Sequence, residues 1–322
     1  MNIKRFLPII GIIILIILLY QFDFSNLSHI MEHIPIHFIL LSFGASIPVV
    51  LISNVEWQYL LRKQDIPVSF LYSMKNIFIG YFYGFITPGG IGGYTRVIYL
   101  KDKSNQPVEK CLYNIGIINT IDIITLFLIS IIGAFLFSRT YPILSYSLII
   151  LCILWIIFLI ILVHQKTWTW ILSLVFRFTI FKPYHQWISI SIQQLQKSLP
   201  SKNHIIITGI ISLVGWVFRF SLFYFVLRLF TIEVSYMPVI LIIAIANIVA
   251  MIPISIYGLG TRETVLISLF SIFSVAPDLV IGVSLFWYVI IWVIPSIIGA
   301  VVSFFEKKPI FNSSSAVLFD NK

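Results

Sequence analysis

The sequence has few charged residues and few cysteines, and each shortage excludes a class of protein. Asp, Glu, Lys and Arg make up 10% of its 322 residues, against about 25% in a soluble domain. Hydrophobic residues make up 59%, and the mean hydropathy is +1.03. A soluble globular fold is therefore excluded. The two cysteines, Cys111 and Cys152, lie beside or within apolar runs, which argues against a disulfide framework or a cysteine metal site.

Acidic residues are the scarcer charge, with 12 Asp and Glu against 21 Lys and Arg and a formal net charge of +9. In a soluble protein this excess would suggest nucleic acid, but in a membrane protein basic residues concentrate in the cytoplasmic loops. The hydrophobic runs place most Lys and Arg, together with both termini, on one side. The sequence therefore predicts a multi-pass protein of the cytoplasmic (inner) membrane, with both termini cytoplasmic and no nucleic-acid partner.

Long apolar runs predict an all-α integral membrane fold with about six full transmembrane helices. The connection at 165–203 has tryptophans among its basic residues and no acid, which indicates one or two amphipathic helices on the inner leaflet. A cytosolic linker is the alternative. The tail at 309–322 is predicted to be disordered. The six predicted spans are 7–20, 37–60, 112–137, 142–163, 204–230 and 282–305.

Two further apolar runs are interrupted by proline and glycine. In the first, Pro88 and four glycines precede Arg96; in the second, a proline and two glycines precede Arg262. Such residues do not continue a stable helix. Unpaired backbone at membrane depth is tolerated only inside protein or beside a wet cavity. Each run is therefore predicted to form a re-entrant hairpin of two short helices around a break.

The two hairpins belong to two similar halves of the chain. Residues 37–137 follow the order span, hairpin, span, and residues 204–305 repeat that order at nearly the same length. Basic residues flank the first hairpin but not the second, so the halves are expected to have opposite orientations. Chance similarity between glycine-rich loops is the alternative. Motif, length and charge together favour an inverted-topology repeat within one transmembrane domain, 1–308, whose breaks meet near the membrane midplane.

Charges within the apolar segments predict a binding site for an anionic lipid headgroup. Arg96 and Arg262 follow the breaks, and Arg219 lies inside a predicted span. Arginine suits phosphate because its planar fork donates two parallel hydrogen bonds, and glycines let a headgroup approach the backbone closely. The predicted substrate-binding residues are Arg96, Arg262, Arg219, Gly90, Gly92, Gly258, Gly260 and Glu263.

Pairing of these charges with one another is the alternative. An isolated charge inside the membrane costs at least about 2.5–3.5 kcal/mol, so several would not be kept unpaired. Glu263 adjoins Arg262, while Glu56 or Asp122 could meet Arg219. Glu56 has a further alternative, which is to extend to the inner membrane interface. The sequence leaves these pairings open.

The sequence predicts no catalytic residues, no metal site and no cofactor. The glycines around Gly90 fall short of a dinucleotide-binding motif and are not flanked by a βαβ unit. His29 to His33 match the H-x-x-E-H spelling of some zinc proteases, but Pro35 interrupts the helix that such a site needs. An external loop with histidines is the prediction for that stretch.

The two breaks resemble the two signatures of a known family, the lysylphosphatidylglycerol synthase transmembrane region, which is flippase-like. The resemblance covers most of the chain. The first signature usually has an acidic residue before its arginine, where this sequence has Tyr94-Thr95. Two-part members also carry a C-terminal aminoacyltransferase domain, which this sequence does not contain, so the resemblance implies the lipid-translocating half alone. The stretches that carry it are Phe85-Ile86-Thr87-Pro88-Gly89-Gly90-Ile91-Gly92 with Arg96, and Gly258-Leu259-Gly260-Thr261-Arg262-Glu263.

Three functions remain in competition. The first is a flippase-like transporter that moves an anionic lipid headgroup, of a phospholipid or a polyprenyl-phosphate-linked glycan, by alternating access. The second is a membrane-embedded lipid-modifying enzyme, for which Glu263 or Asp122 would be the acid or base. The third is a non-transporting scaffold that recruits a glycosyltransferase or another lipid-synthesis protein through 165–203. A homo-oligomer is compatible with each.

Overall fold

The structure, a computed structural model, describes residues 35–139, eight positions between 142 and 154, residues 200–251 and residues 260–306. The predicted span at 7–20, the connection at 165–203 as far as residue 199, the tail from residue 309, Gly258 and most of the span at 142–163 lie outside the described residues.

The described residues are helical and contain no strand. Four helical segments are long and apolar enough to cross a membrane, and they confirm the four predicted spans that fall within this part of the chain. They are Ile36–Lys63, Val108–Leu136, Lys202–Leu229 and Pro277–Phe305. The helices are α1 Ile36–Gly44, α2 Ser46–Lys63, α3 Phe70–Phe85, α4 Arg96–Ser104, α5 Val108–Leu136, α6 Lys202–Leu229, α7 Tyr236–Ala250, α8 Thr261–Phe270, α9 Pro277–Tyr288 and α10 Ile294–Phe305. A π-helical turn, Val289–Val293, joins α9 to α10.

The first predicted hairpin is a helix, a break and a second helix. α3 begins after Ser69, whose hydroxyl accepts the N–H of Tyr72, and ends shortly before Pro88. The Tyr72 hydroxyl donates to the carbonyl oxygen of Tyr99 in α4 at 2.9 Å, so the chain folds back on itself. The predicted break in the α-helix is a 3₁₀ helix, Pro88–Thr95. Its tighter turns provide backbone hydrogen bonds where proline and glycine disfavour an α-helix.

The second predicted hairpin is built on α7 and α8, which pack against each other. α7 is apolar on every side and is almost completely buried from Val239 to Ile248, as expected of a helix enclosed by others. Residues 252–259 of the break lie outside the described part of the chain. The break ends at Gly260, whose φ of +86° is available to glycine without strain.

The two halves of the chain run in opposite directions. Tyr59 near the end of α2 lies 3.0 Å from His204 near the start of α6, so these two helices meet at opposite termini. Lys75 in the first turns of α3 forms an ion pair of 3.5 Å with Glu306, directly after α10. The end of α2, both ends of the first hairpin, the start of α6 and the end of α10 therefore share one end of the molecule. The basic residues of the helix ends are concentrated there.

Each half packs its hairpin against the last helix of the other half. α3 of the first hairpin contacts α10, and α7 of the second contacts α5. Both contacts centre on a glycine that lets the backbones approach closely. Gly299 of α10 faces the backbone of Phe78, and Gly133 of α5 faces Leu241 and Ile245. This exchange links the two halves into a single packed unit.

Gly299→Ala should destabilise the protein, because the added Cβ would overlap the carbonyl oxygen of Phe78. We expect a loss of at least about 1–3 kcal/mol, as for other overpacked interiors. Gly116→Ala is the matched control, because a Cβ there has nothing within 4 Å. Thermal unfolding of both variants in detergent measures the difference. Equal melting temperatures would contradict the close α3–α10 contact.

Candidate functional site

A cavity of about 390 Å³ lies between the two halves, lined by residues of α2, α3, the 3₁₀ break, α4, α5, α6, α7, α9 and the π turn. It combines charged and amide side chains with a wall of aromatic rings. The polar lining comprises Ser53, Glu56, Arg96, Asn119, Asp122, Arg219 and Asn247, and the aromatic lining comprises Trp57, Tyr81, Tyr94, Trp216, Trp287 and Trp292.

Arg96 enters the cavity at the start of α4, directly after the break. Its Nε donates to the carbonyl oxygen of Gly93 at 3.2 Å, and a terminal nitrogen donates to Asn119 Oδ1 at 3.4 Å. The guanidinium carbon lies 5.3 Å from the ring centre of Trp57. The aliphatic part of the side chain crosses Gly80, where a Cβ would lie 2.6 Å from Arg96 Cδ. The missing side chain at Gly80 therefore fixes the path of Arg96.

Arg219 reaches the cavity from α6 in the other half. Its guanidinium donates to Ser53 Oγ at 2.6 Å and lies 4.9 Å from the ring centre of Trp216. Neither Glu56 nor Asp122 forms an ion pair with it among the described residues. In place of the ion pair with Glu56 or Asp122 that the sequence left open, Arg219 contacts the neutral hydroxyl group of Ser53 and the ring of Trp216. Each half of the chain thus brings one arginine to the cavity.

The two acids of the cavity have different surroundings. Asp122 accepts a hydrogen bond from Ser212 Oγ at 2.6 Å. Glu56 is 2% exposed, and its Oε1 has no hydrogen-bond partner among the described residues. The structure therefore corrects the alternative in which Glu56 extends to the membrane interface. No group of three His, Cys, Asp or Glu side chains that could hold a metal ion occurs in the described ranges.

The glycines of the first break have separate roles. Gly90 lines the cavity and has a φ of +70°, a conformation that favours glycine. Gly92 donates its N–H to Thr87 Oγ1 at 2.7 Å, and a Cβ there would overlap the carbonyl oxygen of Tyr83. Gly92 therefore packs on α3 of its own hairpin. The close neighbours of Gly92 are Tyr83 and Thr87, and its predicted contact with a headgroup stays a prediction.

Arg262 and Glu263 lie outside the cavity lining and are bound to each other. Arg262 is 1% exposed, and its guanidinium donates to Glu263 Oε1 at 2.6 Å. Its guanidinium carbon lies 5.4 Å and 5.1 Å from the ring centres of Trp287 and Tyr288. Glu263 also accepts the N–H of Gly260 at 2.6 Å and so caps the start of α8. This is the internal pairing that the sequence left as the alternative to an anion site.

The sequence matches the profile of the family described as lysylphosphatidylglycerol synthase TM region over residues 6–299. The chain belongs to this family. A "UPF0104 membrane protein" of Pyrococcus horikoshii is 26% identical to it over 97% of this chain and 99% of that protein. A second protein of the same description, from Methanothermobacter thermautotrophicus, is 21% identical over 88% of each chain. The family assignment establishes an integral membrane protein, and neither relative's name states an activity.

Three residues of this family member's cavity escaped the sequence-based prediction: Gly80, Trp216 and Trp57. Gly80 could have been recognised from the sequence, because glycine inside an apolar helix destabilises it by about 1 kcal/mol relative to alanine and therefore indicates a packing role. Trp216 could also have been recognised, since it lies three residues before Arg219 and shares its helix face. The sequence gives no indication of the role of Trp57, because its contact with Arg96 depends on how α2 lies relative to the first hairpin.

Proposed function

We propose that this protein is a flippase-like lipid transporter that moves an anionic lipid headgroup across the cytoplasmic membrane. The observation that carries the proposal is the cavity between the two halves, which receives Arg96 from one half and Arg219 from the other. The headgroup belongs to a phospholipid or a polyprenyl-phosphate-linked glycan. Its acyl or prenyl chains remain in the bilayer while the headgroup occupies the cavity.

The chemistry of the cavity fits a phosphate. Both guanidinium groups lie against tryptophan faces, and each donates a hydrogen bond to a neutral oxygen, Asn119 Oδ1 or Ser53 Oγ. A guanidinium has five N–H donors in a planar fork, which suits a phosphate, and the surrounding low dielectric strengthens the interaction. At about 390 Å³, the cavity falls in the size range of small-molecule sites, roughly 300–1,000 Å³. It suits a headgroup rather than a whole lipid.

The arrangement of the helices supports alternating access. The two halves run in opposite directions, and each carries an interrupted helix pair next to the cavity, as in transporters with inverted repeats. The π turn beside the cavity, which includes Trp292, is a local departure from α-helix of a kind frequent at functional sites. In the membrane, the two pairs would act as re-entrant hairpins opening from opposite faces. Rocking of one half against the other would expose the headgroup to each side in turn.

A lipid-modifying enzyme is the second candidate, because Asp122 lines the same cavity. Glu263, the other acid considered, is bound to Arg262 away from it. One experiment distinguishes the two functions. The purified protein is reconstituted in liposomes with labelled phosphatidylglycerol, and the lipids are then extracted and their masses measured by mass spectrometry. A transporter leaves the lipid mass unchanged, and a new lipid species would contradict the proposal. Recruitment of a glycosyltransferase through 165–203 is a separate prediction, tested by co-purification.

The proposed topology predicts which residues are accessible from each side. Lys101, close to the shared basic end of the molecule, should face the cytoplasm, and Glu233 and Asp278 should face outward. Each is replaced singly by cysteine after removal of the two native cysteines. A membrane-impermeant maleimide applied to intact cells should label positions 233 and 278 only. Labelling of position 101 from outside would contradict the orientation of the first hairpin.

Gly80→Ala should reduce lipid transport while leaving the fold intact. The new Cβ would lie 2.6 Å from Arg96 Cδ, so the flexible arginine side chain must leave its present path. Loss of one charge-assisted hydrogen bond corresponds to about 1.5–3 kcal/mol, or roughly a 10–100-fold lower rate. Gly116→Ala again serves as the control. A Gly80→Ala protein that transports at the wild-type rate would show that the position of Arg96 is unimportant.

A further inference from the structure

The cavity contains a buried acid, Glu56, and the binding of an anion does not explain why an acid is present there. Glu56 is 2% exposed, and its Oε1 meets no hydrogen-bond partner among the described residues. This oxygen has lost its hydration, and no hydrogen bond within the described residues replaces it, which costs more free energy for a carboxylate than for a neutral carboxyl group. The protonated carboxyl carries no charge and can donate a hydrogen bond.

The charged groups near Glu56 come from two of the elements that pack against α2 and from the start of α4. α5 contributes Asp122 and α6 contributes Arg219, and both interact electrostatically with Glu56. α4 contributes Arg96, and the lining also contains Tyr81 and Tyr94. The described residues of α1, α10 and the π turn add no acid or base to the lining.

Two other charged or titratable side chains on these elements are engaged away from the cavity. Lys75 of α3 pairs with Glu306, and His204 of α6 contacts Tyr59. Within the described residues, the charged side chains that line the cavity are two arginines and two acids. With the cavity empty, these charges balance when Glu56 is ionised. With one phosphodiester bound, they balance when Glu56 is protonated, because Asp122 and the phosphate then offset the two arginines.

We propose that Glu56 is a proton-binding group that holds a proton while an anionic headgroup occupies the cavity. This inference rests on the proposed function and adds a coupling ion to it. The proton comes from the aqueous side to which the cavity is open, and it returns to water when the headgroup leaves. Because binding of the phosphate and binding of the proton favour each other, a proton gradient would drive the headgroup towards the side of higher pH.

The pH dependence of lipid binding tests this proposal on the purified full chain. Short-chain phosphatidylglycerol is a suitable probe, because its phosphodiester does not titrate between about pH 5 and pH 10. The wild-type affinity should fall with rising pH as Glu56 ionises, by up to about tenfold for each pH unit. Glu56→Gln should bind with an affinity that no longer changes with pH. Glu306→Gln removes an acid outside the cavity and should keep the wild-type pH dependence.

The possible results distinguish a failure of the proton site at Glu56 from a failure of the lipid site itself. The same pH dependence in wild type and Glu56→Gln would overturn the proton site while leaving the lipid site standing. Failure of phosphatidylglycerol to bind at any pH would overturn both. An infrared difference spectrum provides a readout that needs no variant. Lipid-bound wild-type protein should show a carboxylic-acid C=O band that shifts when glutamate is labelled with ¹³C. Absence of that band would overturn the protonation of Glu56.

Discussion

Arg262→Met should destabilise the protein by about 3–5 kcal/mol, the cost of leaving one partner of a buried ion pair uncompensated. The stranded partner is Glu263, whose Oε1 accepts from Arg262 at 2.6 Å while the two side chains are 1% and 5% exposed. Adding Glu263→Gln removes the stranded charge and should restore much of the lost stability. Restoration will be incomplete, because Gln has one acceptor oxygen where Glu263 has two, which accept from the N–H of Gly260 and from Ser284 Oγ.

Thermal unfolding of the single and double variants in detergent measures this coupling. Lys75→Met is the matched control, because Lys75 pairs with Glu306 at a side chain that is 52% exposed. Such an exposed pair is worth about 0–1 kcal/mol. The prediction fails if Arg262→Met melts with the wild type, or if the double variant is no more stable than the single one. Either result would free Arg262 for a role in headgroup binding.

Removal of the cavity arginines should have the largest effect on lipid transport. Arg96→Ala and Arg219→Ala each delete a guanidinium that we place against the phosphate, at about 1.5–3 kcal/mol, or roughly a 10–100-fold lower rate. The lysine variants keep the charge but lose the two-pronged geometry, so they should retain an intermediate rate. Arg62→Ala, at the exposed end of α2, should transport normally.

Transport rates are interpretable only if the variants remain folded. Each arginine variant should elute as a single species and melt within a few degrees of the wild type, because both side chains line the cavity instead of filling the packed core of the fold. A folded Arg96→Ala protein with wild-type transport would remove Arg96 from the site. The same result for Arg219→Ala would remove the contribution of the second half.

The helices were predictable from the sequence because a membrane allows so few alternatives. A spanning segment must satisfy its own backbone, so long apolar runs become helices, and the predicted span at 204–230 differs from α6, Lys202–Leu229, by only two residues at its start. The first break was predictable for the same reason, since Pro88 and four glycines disfavour an α-helix. Its 3₁₀ form was not, because local sequence does not reveal which weaker hydrogen-bond pattern replaces the α-helix.

The site was predictable only in part, and its two arginine motifs show why. Arg96 and Arg262 both follow a glycine-rich break, yet the structure places one beside the cavity and buries the other. The residue that follows each arginine accounts for the difference. Arg262 is followed by an acid, Glu263, with which it pairs, whereas Arg96 is followed by the apolar residue Val97. The contribution of Arg219, by contrast, depends on contacts between α6 and α2. Packing between distant helices follows from shape complementarity over the whole fold, which no local pattern records.

Transport by the reconstituted protein tests the central claim most directly. The purified protein is placed in liposomes that carry fluorescent phosphatidylglycerol, and the initial rate of its movement between leaflets is followed by chemical quenching of the outer leaflet. Wild-type protein should move the lipid faster than protein-free liposomes, and the Arg96→Ala/Arg219→Ala double variant should fall to the protein-free rate. Equal rates for the wild type and the double variant would contradict a headgroup pathway through this cavity.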